Sequence, residues 1–183
     1  MNPPIFVSVS TNPDTPEAPR ESIRYDQFVQ KLRKPLPENL NACHIGLGLA
    51  GELGELCEAG ANLVEEYGDF EFYLQAALLH YGLTRSECVT GTSRINDNMF
   101  TYKLGQLIDC IKKEYIYNKQ RELSKIKDAL GYLYYYLSDY YGIVNTTRQK
   151  ILQQNATKLQ IRYAAMQYSD DAAIARADKK AGD

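Results

Sequence analysis

Apart from Ile5 to Val9, no stretch of this chain alternates apolar and polar residues with the period of a strand, whereas apolar residues recur at helical spacing over most of its length. That absence leaves helix packed on helix as the simplest architecture, and the expectation is an all-α, antiparallel helical bundle. Helices are predicted over about 22–33, 38–67, 69–81, 100–118, 120–141 and 146–167. Pro35 and Pro37 end the first, and Gly68 reads as the break between the second and third. Residues 82–98 are rich in turn and cap residues and read as a long loop.

With 183 residues the chain is long enough for one substantial core and short for two. Five of its seven prolines fall within the first twenty residues, so 1–21 is expected to be an extended or disordered arm, able to pack on a neighbouring subunit. Residues 22–178 would form a single domain and 179–183 a flexible tail. Its 21 basic and 23 acidic residues give no positive field, which argues against nucleic acid as a partner. No apolar run approaches the ~20 residues that span a bilayer, and no basic-then-apolar leader opens the chain, so no membrane partner and a cytoplasmic location are expected. Cys43, Cys57, Cys88 and Cys110 are scattered, which points to free thiols rather than a zinc site or a disulfide framework.

The chemistry concentrates in Gly46-Leu-Gly-Leu-Ala-Gly-Glu52-Leu-Gly-Glu55-Leu56. At about 100° per residue Glu52 lies at the edge of the stripe made by Ile45, Leu49, Leu56 and Leu63, and Glu55 lies about 60° to its other side. A carboxylate set against an apolar face needs a partner or takes up a proton. Two of them one turn apart beside small residues suit a bound Mg²⁺, with Mn²⁺ able to substitute. A solvated acidic flank is the plainer alternative for an isolated E-x-x-E. Glu58 is a further candidate ligand, farther from the stripe. In the helix over 120–141, Asp128 shares a side with Gly131, Tyr132 and Tyr135, opposite Ile126, Leu130, Leu133 and Leu137, and reads as an inward-facing carboxylate, with a surface pair to Lys125 as the plainer alternative. On the last long helix Asn155, Lys158 and Arg162 share a face and present an amide, an ammonium and a guanidinium to one anion, an arrangement suited to phosphate. Stems that merely cover the core would look the same. No P-loop and no Ser-His-Asp arrangement competes.

These three segments, with Tyr25-Asp-Gln-Phe28 before them and Tyr168-Ser-Asp-Asp-Ala-Ala-Ile-Ala-Arg176-Ala-Asp178 after them, resemble the MazG-like all-α nucleoside-triphosphate pyrophosphohydrolases, especially the small phage-type members. The resemblance covers roughly 22–67 and 120–178, leaving a long insertion at about 68–119. It implies a helical bundle associating as a homodimer or homotetramer, and hydrolysis of a (d)NTP between the α- and β-phosphates to the monophosphate and pyrophosphate. It also implies Mg²⁺ held by an E-x-x-E and a later E-x-x-D. Placed on Lys125-Ile-Lys-Asp128, the second motif makes Glu52, Glu55 and Asp128 the catalytic, metal-holding carboxylates, with a lysine in a ligand position. Asn155, Lys158, Arg162 and Lys125 are then the substrate-binding set, and Asp97, Asp109 or Glu114 of the insertion are possible substitute acids. The lysine motivates an alternative, a nucleotide-binding protein with weakened catalysis. The Tyr-rich helices motivate another, a structural helical oligomer.

Overall fold

The structure, a computed structural model, describes residues 4–10, 20–88 and 97–178. Its described residues are mostly helical, with one small sheet. Strand β1 (Phe6–Ser10) pairs antiparallel with β2 (Arg20–Arg24), Val7 opposite Ile23. The helices are α1 (Tyr25–Leu32), α2 (Glu38–Glu58), α3 (Leu63–Tyr81), α4 (Asp97–Tyr115), α5 (Leu123–Ile143), α6 (Arg148–Arg162) and α7 (Asp170–Ala175). The period-two segment near Ile5 thus becomes a strand, and the arm expected over 1–21 is anchored in part. Val7 and Val9 are buried, and Ser8 is held through its backbone by Gln153 and Gln160 of α6. Residues 11–19 and the tail expected at 179–183 lie outside the described residues.

The largest difference from the expected helices concerns two glycines. The break falls at Gly60, whose φ of +50° is a conformation that glycine adopts at little steric cost, and a single 3-10 turn over Gly60–Asn62 joins α2 to α3. Gly68 lies inside α3, where it serves close approach. A Cβ there would come 2.9 Å from Cβ of Asn155 on α6. At the other end Gly82 takes φ +63°, and Leu83 N–H reaches Leu78 O at 2.8 Å, closing α3 in a Schellman-type stop. The region expected as an insertion therefore consists largely of α3 and α4, with a 3-10 turn at Arg85–Cys88 and residues 89–96 outside the described ones.

Helix α2 packs on α3 and α4, α4 on α5, and α6 lies against both α3 and β1. Ile126, Leu130, Leu133 and Leu137 are fully buried, as the stripe on α5 predicts. Tyr132, Tyr134, Tyr136 and Tyr141 are buried as well, within the one chain. Much of the Tyr- and Leu-rich face of α5 is thus covered within the chain, while Tyr135 remains exposed. No helix among the described residues is long and apolar enough to cross a membrane. All four cysteines are free thiols.

One buried charge ties this arrangement together. Glu71 of α3 is 0% exposed and accepts two bonds from Arg148 of α6, at 2.6 and 2.7 Å, and one from the Tyr141 hydroxyl of α5 at 2.7 Å. Removing one partner strands the other in a low-dielectric interior. Glu71→Gln or Arg148→Met is expected to cost about 3–5 kcal/mol in urea unfolding, while Glu71→Leu combined with Arg148→Met recovers most of the loss.

Candidate metal centre

Because α2 and α3 are joined by a single turn, α3 lies back against α2 and brings two acidic pairs of the same i, i+3 spacing together: Glu52 with Glu55, and Glu66 with Asp69. One carboxylate oxygen each of Glu52, Glu55 and Glu66 lies within 4.8 Å of the others. Glu66 is 8% exposed, Glu52 is half-buried, and each carries a buried carboxylate oxygen without a hydrogen-bond partner. Asp69 adjoins them, its oxygens taken by Asn155 Nδ2 at 2.8 Å and by the Lys158 ammonium.

The electrostatics follow from this crowding. Burial, with the charges of Asp69, Glu55 and Glu66 adding to it, pushes Glu52 up to about 8, and Lys158 offsets this only in part. Burial and the Asp69, Glu55 and Glu65 charges raise Glu66 as well. Asp69 is raised by burial against the pull of Lys158 and Arg162. Hard oxygen donors in surplus over local positive charge are what a Mg²⁺ or Mn²⁺ ion requires, and the two unpartnered buried oxygens fit such an ion. Tyr73 borders the group. Its ring lies across Gly48, where a Cβ would be 2.3 Å from it, and it is pushed up to about 12 by burial and then by Glu52 and Asp69.

The residues expected to form the site separate. Glu52 and Glu55 are together as the motif implies. Asp128 is elsewhere: it is half-exposed and paired with Lys103 of α4. The apolar stripe of α5 takes the core, and Asp128, about 200° from Ile126 and from Leu130, is turned to the rim. Lys125 pairs with Glu122 rather than with any of the four carboxylates. Both line a separate cavity of about 440 Å³ between α4 and the start of α5, together with Tyr102, Gln106 and Lys113. Glu58 is exposed at the end of α2, outside the clustered three. Among the substitute acids, Asp109 is engaged by Lys112 and Lys113, and Glu114 by Arg121; the side chain of Asp97 lies outside the described residues.

Of the three residues expected to face one anion, Asn155 and Lys158 meet the acidic group and Arg162 does not. Asn155, 3% exposed, accepts from Tyr25 at 2.9 Å and donates to Asp69, so it positions that carboxylate. Lys158 also reaches Glu65 at 3.2 Å. Arg162 forks onto Asp178, both bonds at 2.6 Å. Glu66 and Asp69 are the residues that sequence reasoning missed. Their signal, Glu66-Tyr-Gly-Asp69, is itself an E-x-x-D, hidden by the reading of Gly68 as a helix break.

In metal-free protein the unpaired carboxylates work against the fold. The folded-state value of Glu52 is raised from 4.5 to about 8, so the folded chain holds a proton there that the unfolded chain gives up. Stability from this group is full below 4.5 and falls as pH rises to about 8. With a chelator present, Glu52→Gln is expected to remove this decline and to raise Tm by about 3 °C at pH 8, read by thermal scans across pH.

Compared with models of protein families, with curated proteins and with solved structures, the chain finds no match.

Proposed function

We propose that this chain is a Mg²⁺-dependent (d)NTP pyrophosphohydrolase, cutting between the α- and β-phosphates to give a monophosphate and pyrophosphate. The observation that carries this reading is the pair of E-x-x-E and E-x-x-D carboxylates folded onto one another, with buried oxygens of Glu52 and Glu66 unpartnered. The resemblance to the MazG-like enzymes supports it on segments 46–56 and 155–163, not on Asp128. It also gains from moving the second motif, since Glu66-Tyr-Gly-Asp69 supplies the E-x-x-D without a lysine in a ligand position. The observation that motivated a catalytically weakened relative is thereby removed.

Glu52, Glu55, Glu66 and Asp69 would hold the cation, which supplies charge neutralisation at the phosphates and a bound water of lowered pKa. Asn155 keeps Asp69 oriented, as the chain from Tyr25 through Asn155 to Asp69 implies. Lys158 stands on the opposite wall with its ammonium on Asp69 and Glu65, placed to turn toward a phosphate once those carboxylates engage a cation. Homodimer or homotetramer formation and Mn²⁺ substitution belong to the same reading.

The test is a panel of canonical (d)NTPs assayed for pyrophosphate release with Mg²⁺ or Mn²⁺. Turnover is expected to need the ion, and Glu52→Gln, Glu55→Gln, Glu66→Gln and Asp69→Asn each to lose about a hundredfold or more in kcat/KM with helicity retained. Asp128→Asn is expected to stay near the parent rate. Full activity in the Glu66 and Asp69 variants, or a strong loss at Asp128, would sink this assignment of ligands. Binding of nucleotide without release of pyrophosphate would favour a non-catalytic binder.

A further inference from the structure

Beyond Arg162 the chain doubles back. Residues 163–178 pass through Met166 and Arg176, both left-handed at φ 53° and 44°, with the short helix α7 between them. Tyr163 is buried and Met166, Tyr168, Ala172 and Ala173 pack partly exposed against the core, while the end of the segment is more lightly held. Helix α7 has no buried residue, and Ile174 is 81% exposed. Two ion pairs fasten the segment as well. Asp170 meets Lys34 at 2.5 Å on the exterior, where Tyr168 lies beneath the ammonium at 5.5 Å from ring centre. At the far end Asp178, its side chain 0% exposed, takes the Arg162 fork with both oxygens.

Asp178 is an anion in a meaningful place. Arg162 lies one turn beyond Lys158 on α6, and its guanidinium also responds to the charge of Asp69 in the acidic group. Burial opposes the charge on Asp178, yet the Arg162 bonds prevail and hold its carboxyl below the usual range, with Lys158 adding to the effect. A carboxylate and a phosphate use the same two parallel bonds on a guanidinium, so either satisfies Arg162 and only one can be there. Beyond Tyr163 the segment's apolar contacts are only partly buried, so this end opens more readily than the core helices.

We propose that residues 163–178 are an autoinhibitory strap, in which Asp178 occupies the Arg162 guanidinium in place of a substrate phosphate and is displaced when the phosphate arrives. This rests on the reading of the acidic group as a metal–triphosphate site. In the strapped state the two cations of α6 nearest the acidic group are neutralised by the chain's own carboxylates, Lys158 by Asp69 and Glu65 and Arg162 by Asp178. Phosphate entry then costs the Arg162–Asp178 pair, and affinity is lowered by the fraction of molecules still closed.

The experiment measures binding of inorganic pyrophosphate with Mg²⁺ by calorimetry to the full chain, to Asp178→Asn and to Asp170→Asn, together with amide exchange over 163–178. Asp178→Asn is expected to bind about tenfold tighter, because the near-isosteric amide gives up the charge that competes for Arg162. Asp170→Asn loosens only the outer fastening and is expected to tighten binding by a smaller factor. Being on the exterior, it stands as the decisive variant if Asp178→Asn fails to fold. Pyrophosphate is expected to speed exchange over 168–178 in the parent chain and leave α3 protected. Equal or weaker binding in the folded variants, unchanged exchange, or no binding to any form would overturn the strap. If no triphosphate is hydrolysed, the proposed function fails while the affinity ratio still decides this inference.

Discussion

Arg148 sits one residue after the Thr147 cap that starts α6, and from there it reaches the fully buried Glu71 in the middle of α3. That contact fixes how α6 lies along α3, because a buried ion pair with a third bond from Tyr141 tolerates little sliding. With the register set, Asn155 falls two turns further along α6, against Gly68, and Lys158 one turn beyond it, against Asp69. The polar face of α6 thus meets the acidic face of α3 because a different, interior charge has aligned the two helices. Glu71 takes no part in the candidate chemistry, yet the approach of Lys158 to the carboxylates depends on it.

Much of the fold was legible because period is a strong signal in long helices. The expected spans for α4 and α5 agree with the structure to within three residues, α6 ends at Arg162 rather than near 167, and α1 begins at Tyr25 because Ser22 to Arg24 belong to β2. What was illegible turned on glycine. Gly60 and Gly68 lie in the same helical pattern, one supplying a left-handed backbone and the other the absence of a side chain, and a sequence shows the residue without showing which property is in use. Taking the wrong one as the break separated Glu66 from Asp69 and hid the second acidic pair. Asp128 was misplaced for a related reason. Helix α5 is apolar or aromatic nearly all round, so its pattern identifies a buried helix and leaves the direction of its rim open.

The long-range partners were beyond reach for a different reason. Strand β2, Arg-Glu-Ser-Ile-Arg, carries no alternation of its own and is a strand because β1 lies beside it. Likewise nothing in the spacing of Arg162 and Asp178 specifies that the chain between them turns back; two left-handed residues, neither of them glycine, determine that path.

The single 3-10 turn at Gly60 gives the candidate centre two histories. Its carboxylates all come from one hairpin within residues 52–69, so their assembly requires closure of only a short loop and belongs among the fast, local events of folding. Lys158 arrives from 89 residues away along the chain. The carboxylates can therefore be brought near one another before α6 docks, while the orientation of Asp69 waits for Asn155. The acidic half of the group is thus local in sequence, and its amide and ammonium partners are the long-range half.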